Sequence, residues 1–122
     1  MEILLVEDSP EVSLITVEYL AELGHRAVAV ADAELALQQV AEKRFDAVMT
    51  DVSLPGMSGI ELTKALGLRY PLLPVVISSG YGAQNVAALL GPGYGRVLVL
   101  TKPYDMEMLE TTLGQAAAFP HE

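Results

Sequence analysis

Four short stretches of this chain carry side chains able to do chemistry: Glu7 and Asp8 in "LLVEDSP", Asp51 in "MTDVSLPGMSG", Ser79 in "VISSGYG" and Lys102 in "LTKPYD". Each stretch sits where an apolar run gives out. Carboxylates brought within a few ångströms repel by about 4 kcal/mol per pair at an effective dielectric near 20. They stay ionised together only beside a cation, and hard oxygen ligands select Mg²⁺ or a similar ion over zinc or copper. A Mg²⁺ held by one or two carboxylates keeps positions open for phosphate oxygens. Lys102 supplies a second positive charge. A phosphoryl group in flight needs little beyond such positioning and neutralisation. On this chemistry Asp51 is the nucleophile that forms an acyl phosphate, and Lys102 and Ser79 hold the phosphoryl oxygens afterwards. Taken singly, each residue has an ordinary explanation: Glu7 or Asp8 as a helix cap, Asp51 or Ser79 as a turn residue, Lys102 as a solvated lysine. Taken together, four strand ends supplying reactive types at one edge argue for a site.

The elements that must position them are legible as an alternation. Apolar runs fall at 2–6 ("EILLV"), 26–30 ("RAVAV"), 46–50 ("DAVMT"), 74–78 ("PVVIS") and 96–100 ("RVLVL"). None alternates polar with apolar, which predicts strands buried on both faces of a parallel sheet. Between them the spacing is helical. Val12, Ile15, Tyr19, Leu20 and Leu23 predict one face of a first helix, with Ser9 as cap and Pro10 at its first position. Ala33, Ala36, Leu37, Val40 and Ala41 predict a second behind Asp32, and Ser58 with Glu61 forms a capping box ahead of Leu62, Ala65 and Leu66. A short fourth helix is predicted over 83–90, ended by "GPGYG", and a fifth from Asp105, with 119–122 as a frayed end after a domain of 1–118. Five strands and five helices make one doubly wound α/β domain, whose ligands bind beyond the carboxyl ends of the strands.

Bulk properties narrow the function classes. The chain has 122 residues, 52% of them hydrophobic, which suits one domain with a filled core. It contains no cysteine, so neither disulfides nor thiolate metal sites are possible. Seven basic residues against 16 acidic give a net charge of −9, which argues against direct nucleic-acid binding. No apolar run is long enough to span a bilayer, and Met1 stands directly before a strand-like run, leaving no room for a signal peptide. A cytoplasmic location is the expectation.

Over essentially its whole length the chain resembles the receiver domain of two-component response regulators. The resemblance is carried by "LLVEDSPEV", "DAVMTDVSLPGMSG", "PVVISSGYG" and "LTKPYD", in that order and at domain-like separations. It implies a flavodoxin-like (βα)5 fold with strand order 2-1-3-4-5. It further implies that Asp51 is the phosphorylation site and a Mg²⁺ ligand, Asp8 a direct ligand, Glu7 a ligand acting largely through water, and the main-chain carbonyl of Ser53 another. Ser79 takes the switch position and Lys102 the lysine position, with a cis peptide at Lys102–Pro103. The implied partners are a histidine kinase or histidine phosphotransfer domain and a downstream partner or attached output domain. "ISSGYG" and "LTKPYD" are similar in style to receivers of hybrid histidine kinases. One departure stands out, because many receivers carry an aromatic residue where this chain has Val99.

Rival functions fit less well. A dehalogenase-type Mg²⁺ phosphatase with an aspartyl nucleophile has a D-x-D arrangement after its first strand, where this chain has Glu7-Asp8, and a cap domain for which there is no length. A docking module that never takes a phosphoryl group has no need of Asp8, Asp51 and Lys102 together. A cobalamin module needs a ligating histidine, and neither His25 nor His121 is so placed; a dinucleotide fingerprint is missing because "VEDSP" has no glycine. The expectation is therefore a self-phosphorylating and self-dephosphorylating signalling domain, not a turnover enzyme.

Overall fold

A computed structural model describes residues 1–119 of the chain. Of the predicted frayed end, residues 120–122 lie outside the described residues. Five strands alternate with five helices: β1 (Glu2–Val6), α1 (Pro10–Glu22), β2 (Arg26–Val30), α2 (Ala33–Glu42), β3 (Ala47–Asp51), α3 (Gly59–Arg69), β4 (Val75–Ser79), α4 (Ala83–Leu90), β5 (Val97–Thr101) and α5 (Met106–Ala117). The strands form one parallel sheet in the order β2-β1-β3-β4-β5. The fold expected from the sequence is the fold observed.

Alternate strand residues feed two cores, as the period of two requires. Leu4, Val6, Val48, Val75 and Ile77 face α2, α3 and α4, meeting Ala36, Leu62, Leu66 and Val86. Ile3, Leu5, Met49, Val76 and Leu100 face α1 and α5, meeting Leu20, Leu109, Leu113 and Ala116. Burial on both faces holds for β1, β3 and β4. It fails at the edge strands: Arg26 and Ala29 of β2 are exposed, and β5 is only partly buried along most of its length. An edge strand has one neighbour, so its second flank stays open to water.

Two other expectations shift. The strands β3, β4 and β5 each start and end one residue later than their apolar runs suggested, so Asp51, Ser79 and Thr101 are the last residues of their strands. In α1 the buried residues are Thr16 and Leu20, while Val12, Ile15 and Tyr19 are exposed. The helix is turned so that a threonine faces inward. Its hydroxyl is satisfied by donating to the Val12 carbonyl at 2.7 Å, which removes the usual cost of burying it.

The predicted caps are present. Ser9 accepts from the Val12 N–H, Asp32 from Leu35 and Asp105 from Met108, and Ser58 and Glu61 form the reciprocal capping box. The exception is α4, an eight-residue helix whose N-cap, Gly82, offers no side chain. Both flanking glycines, Gly82 and Gly91, adopt positive φ (83° and 79°), which other residues enter only with strain. Glycine at the N-cap costs only a few tenths of a kcal/mol, but α4 is also shorter and buries two residues against five in α3, so its amides should show less protection in native-state hydrogen exchange than those of α3. Equal protection of the two helices would contradict this account.

Candidate functional site

The strand order reverses between β1 and β3, and the crevice beyond their carboxyl ends is where an open α/β sheet binds ligands. Glu7 follows β1 directly, and its N–H still donates to the Val30 carbonyl at 3.0 Å, so the sheet holds its backbone. Its side chain is buried at 8% exposure and accepts from the Ser9 N–H at 3.1 Å, whereas Asp8 is exposed. Asp51 closes β3, lying beside Ser78 of β4 in register. Oxygens of Glu7, Asp8 and Asp51 all fall within 4.8 Å of one another. From the far side Lys102 reaches in, its Nζ 3.2 Å from Asp51 Oδ1.

Burial and charge pull in opposite directions here. Burial pushes the Glu7 carboxyl above its ordinary range; the Ser9 N–H and Lys102 oppose that shift, while Asp51 and Asp8 reinforce it. Burial first, and the two neighbouring carboxylates after it, disfavour the charge on Glu7 in the absence of a cation. The donor set is all oxygen, with no sulfur or imidazole, and fits a hard divalent ion.

The backbone under Asp51 is pinned tightly. The buried Thr50 hydroxyl donates to the Asp51 carbonyl at 2.9 Å, Val52 N–H to the Ser78 carbonyl at 3.3 Å, and Gly59 N–H to the Val52 carbonyl at 2.9 Å. Gly59 opens α3 against this turn, and any Cβ there would run into the Asp51 main-chain carbonyl. Glycine is therefore required for close approach, and α3 fixes where β3 delivers its carboxylate.

The remaining candidates are placed less uniformly. Lys102 is registered by its N–H, which donates to the Ser79 carbonyl at 2.8 Å, and the Lys102–Pro103 peptide is cis. Ser79 is buried, and its hydroxyl oxygen accepts from the Tyr81 N–H at 2.9 Å; the hydroxyl makes no hydrogen bond to the side chain of Asp51 or Lys102. Ser53 lies exposed in the loop after β3. Val99 is half-buried, packed on the core shared by α2, α3 and α4 and paired with Ile77. Tyr104, which the sequence did not single out, is half-buried beside the site. Burial raises its phenol above the ordinary range, a hydrogen bond with Thr16 works against this, and the charges of Glu7 and Asp51 add to it. Its position directly after Lys102-Pro103 was the available signal.

A parallel sheet with carboxylates and one lysine converging at its switch point defines the class: a doubly wound α/β domain with an acidic crevice whose donors suit a hard cation. The match to known families is specific. The family model for the response regulator receiver domain matches residues 3–114, and the chain belongs to that family. Response regulator protein FleR of Pseudomonas aeruginosa is 37% identical over 108 residues, 88% of this chain and 23% of FleR. Transcriptional regulatory protein TcrA of Mycobacterium tuberculosis is 35% identical over 111 residues, 89% of this chain and 43% of TcrA. The chain thus spans less than half the length of either relative. Among solved structures, the receiver domain of a Pseudomonas aeruginosa sensor histidine kinase, with a magnesium ion coordinated in its active-site cleft, matches with a TM-score of 0.83 and 28% identity over 95% of this chain and 96% of its own. A chemotaxis response regulator of Vibrio cholerae matches with a TM-score of 0.83 and 27% identity, covering 94% and 97% of the two chains.

Two expectations follow. Gly59→Ala must displace either α3 or the Asp51 carbonyl, and should destabilise the fold by about 1–3 kcal/mol in urea titrations. Wild-type stability there would mean the turn yields freely. The second concerns pH. Because the folded-state pKa of Glu7 is raised, the folded protein holds this proton more tightly than the unfolded chain. Its contribution is fully present below the ordinary glutamate value and is lost as pH rises through the folded value. Glu7→Gln should flatten that decline in a urea series across pH 4 to 7 and raise stability at pH 7. An unchanged slope would remove Glu7 as its source.

Proposed function

We propose that this domain accepts a phosphoryl group on Asp51 and signals by the change that follows. The observation that carries this reading is the 3.2 Å pairing of Lys102 with an Asp51 that shares its crevice with two further carboxylates. The arrangement costs stability in isolation and suits the binding of a cation and phosphate oxygens. Asp8 and Asp51 would hold Mg²⁺, with Glu7 acting through water and the Ser53 carbonyl completing the protein's share. When bound, the ion supplies charge neutralisation for the phosphoryl oxygens.

The chain's own residues do the rest. An oxygen of Asp51 attacks phosphorus in line with the bond to the donor. With a phosphohistidine donor, the P–N bond breaks as the P–O bond to Asp51 forms, and the imidazole leaves as the neutral base after taking a proton from solvent. Lys102 then pairs with the transferred group, which brings about −1.5 to −2 charges. Ser79 is prepared to join it: the oxygen already accepts from Tyr81, so its own proton is free to donate. A hydroxyl drawn toward the phosphoryl group carries the Tyr81 backbone with it, and Tyr81 is tied to α4 by Asn85 Nδ2 donating to its carbonyl at 2.6 Å. This link bypasses position 99, where valine replaces the family's common aromatic. The face that reports the change comprises α4, β5 and α5.

On this reading the domain is a signalling module, not a turnover enzyme: the phosphoryl group stays on Asp51 while the signal lasts, and water then attacks phosphorus, releasing inorganic phosphate and restoring the carboxylate. The phosphodonor is a histidine kinase or histidine phosphotransfer domain. The output lies with a downstream partner or an attached domain, in keeping with relatives that extend well beyond the matched region. Among the described residues no helix is long and apolar enough to cross a membrane.

The test is an intact-mass measurement after incubation with Mg²⁺ and acetyl phosphate. Wild type should gain one phosphoryl group only when Mg²⁺ is present, and Asp51→Asn should gain none. A folded wild-type protein that gains nothing from acetyl phosphate or from a phosphohistidine donor would replace this reading with that of a docking module.

A further inference from the structure

Helix α4 is held unevenly at its two ends. Its first three residues, Ala83, Gln84 and Asn85, are exposed, and its first buried side chain is Val86. The bond from Asn85 Nδ2 to the Tyr81 carbonyl joins the helix to its own approach segment and not to the body of the domain. Tyr81 itself is 61% exposed. Gly82, which leads into the helix, has a φ of 83° and no side chain to brace the entry.

The other end is anchored. Leu90 is buried in the core that α3 faces, and the Gly91 N–H donates to the Ala87 carbonyl at 3.0 Å. The chain then turns through Gly91 and Gly93, at φ of 79° and 97°, and brings Tyr94 onto the same core. Its ring lies against Gly67 of α3. A Cβ at Gly67 would stand 3.0 Å from Tyr94 Cε1 and 3.3 Å from Cδ1, closer than the roughly 3.5–4.0 Å at which carbon atoms pack. A glycine inside a helix is destabilising relative to alanine, and here the missing side chain is what seats the ring. Two residues on, the Arg96 carbonyl accepts from the Val75 N–H at 3.0 Å, so the sheet holds the chain beyond the tyrosine as well. A cavity of about 220 Å³ adjoins the seat, bounded by Thr63, Leu73, Val75 and Val97 among others.

We propose that the Tyr94 ring seated on Gly67 is a fixed pivot, and that α4 swings about it with its N-terminal end free. A hinge needs one end that holds and a few residues that absorb the change in φ and ψ. Tyr94 and Leu90 hold; Gly82, ahead of a first turn that buries nothing, absorbs. The free end is the one joined to Ser79, through the Tyr81 N–H that its hydroxyl receives at 2.9 Å. Displacement is therefore greatest at the start of α4 and fades toward the start of β5. The pivot belongs to the resting fold; its use in signalling rests on the proposed transfer to Asp51.

Native-state hydrogen exchange on the full chain tests the pivot without any phosphoryl transfer. In the wild type the amides of residues 89–91 should be about tenfold better protected than those of 86 and 87. Tyr94→Ala should bring 89–91 down to the level of 86 and 87 and leave α1 unchanged. Gly67→Ala should lower the same amides by less, because the adjoining cavity gives the ring room to tilt, and should have no such effect once Tyr94 is alanine. Equal protection of the two turns in the wild type, a loss shared equally by α1, or a Gly67→Ala effect that persists without the ring would each overturn the inference. With Mg²⁺ and acetyl phosphate added and transfer checked by intact mass, exchange should change at residues 80–87 and stay as it was at 91–96. A change centred on 91–96 would also overturn it. A wild type that gains no mass would count against the phosphoryl reading instead, and the variants would still decide the pivot.

Discussion

Three carboxylates crowded at one sheet edge are the constraint around which this domain is organised. Glu7, Asp8 and Asp51 are brought within 4.8 Å by strands that cannot spread apart, because β1 and β3 are hydrogen-bonded neighbours in the middle of the sheet. Each pair repels by about 4 kcal/mol at an effective dielectric near 20, against a net stability for ordinary domains of about 5–15 kcal/mol. The protein relieves this in three ways. Lys102 faces Asp51, Asp8 stays exposed to water, and Glu7 is pushed toward its protonated form. None removes the negative charge from the crevice. The residual demand for positive charge gives the site its chemistry.

Holding such a cluster requires a rigid frame, and the frame is built from small residues and backbone. Gly59 lets α3 come up against the Asp51 carbonyl, Thr50 hydrogen-bonds the same carbonyl from within the core, and the Ser79 carbonyl registers Lys102. These contacts fix main-chain positions and leave carboxylate and ammonium groups free to exchange partners. Charged side chains can then re-pair around an incoming group without the sheet moving.

Much of this was legible in the sequence because it rests on local rules. Strand-length apolar runs, Ser9-Pro10, the Ser58–Glu61 box and Asp105 each act within a few residues; the caps appear where the sequence put them and the strands within one residue of it. The convergence of Glu7, Asp8, Asp51 and Lys102 follows from one further step, that strand ends in a parallel sheet share an edge. What escaped depends on tertiary context. The rotation of α1 that buries Thr16 in place of Ile15 is set by packing against β2 and α5-side core residues, not by hydrophobicity along the helix. Tyr104 comes beside Glu7 and Asp51 only because the segment after β5 is brought to the sheet edge that β1 and β3 share.

The uncapped α4 bears on how quiet such a module is at rest. A helix anchored more firmly than this one would demand more free energy from whatever moves it. A helix much looser would sample its signalling position without a signal, and a population of one in ten there is only about 1.4 kcal/mol above the resting state. Two buried residues, glycine at both ends and a polar tether through Asn85 hold α4. If Asp51 signals through this helix as proposed, basal output is set by the residues at positions 82 and 91 without any change to the acidic site.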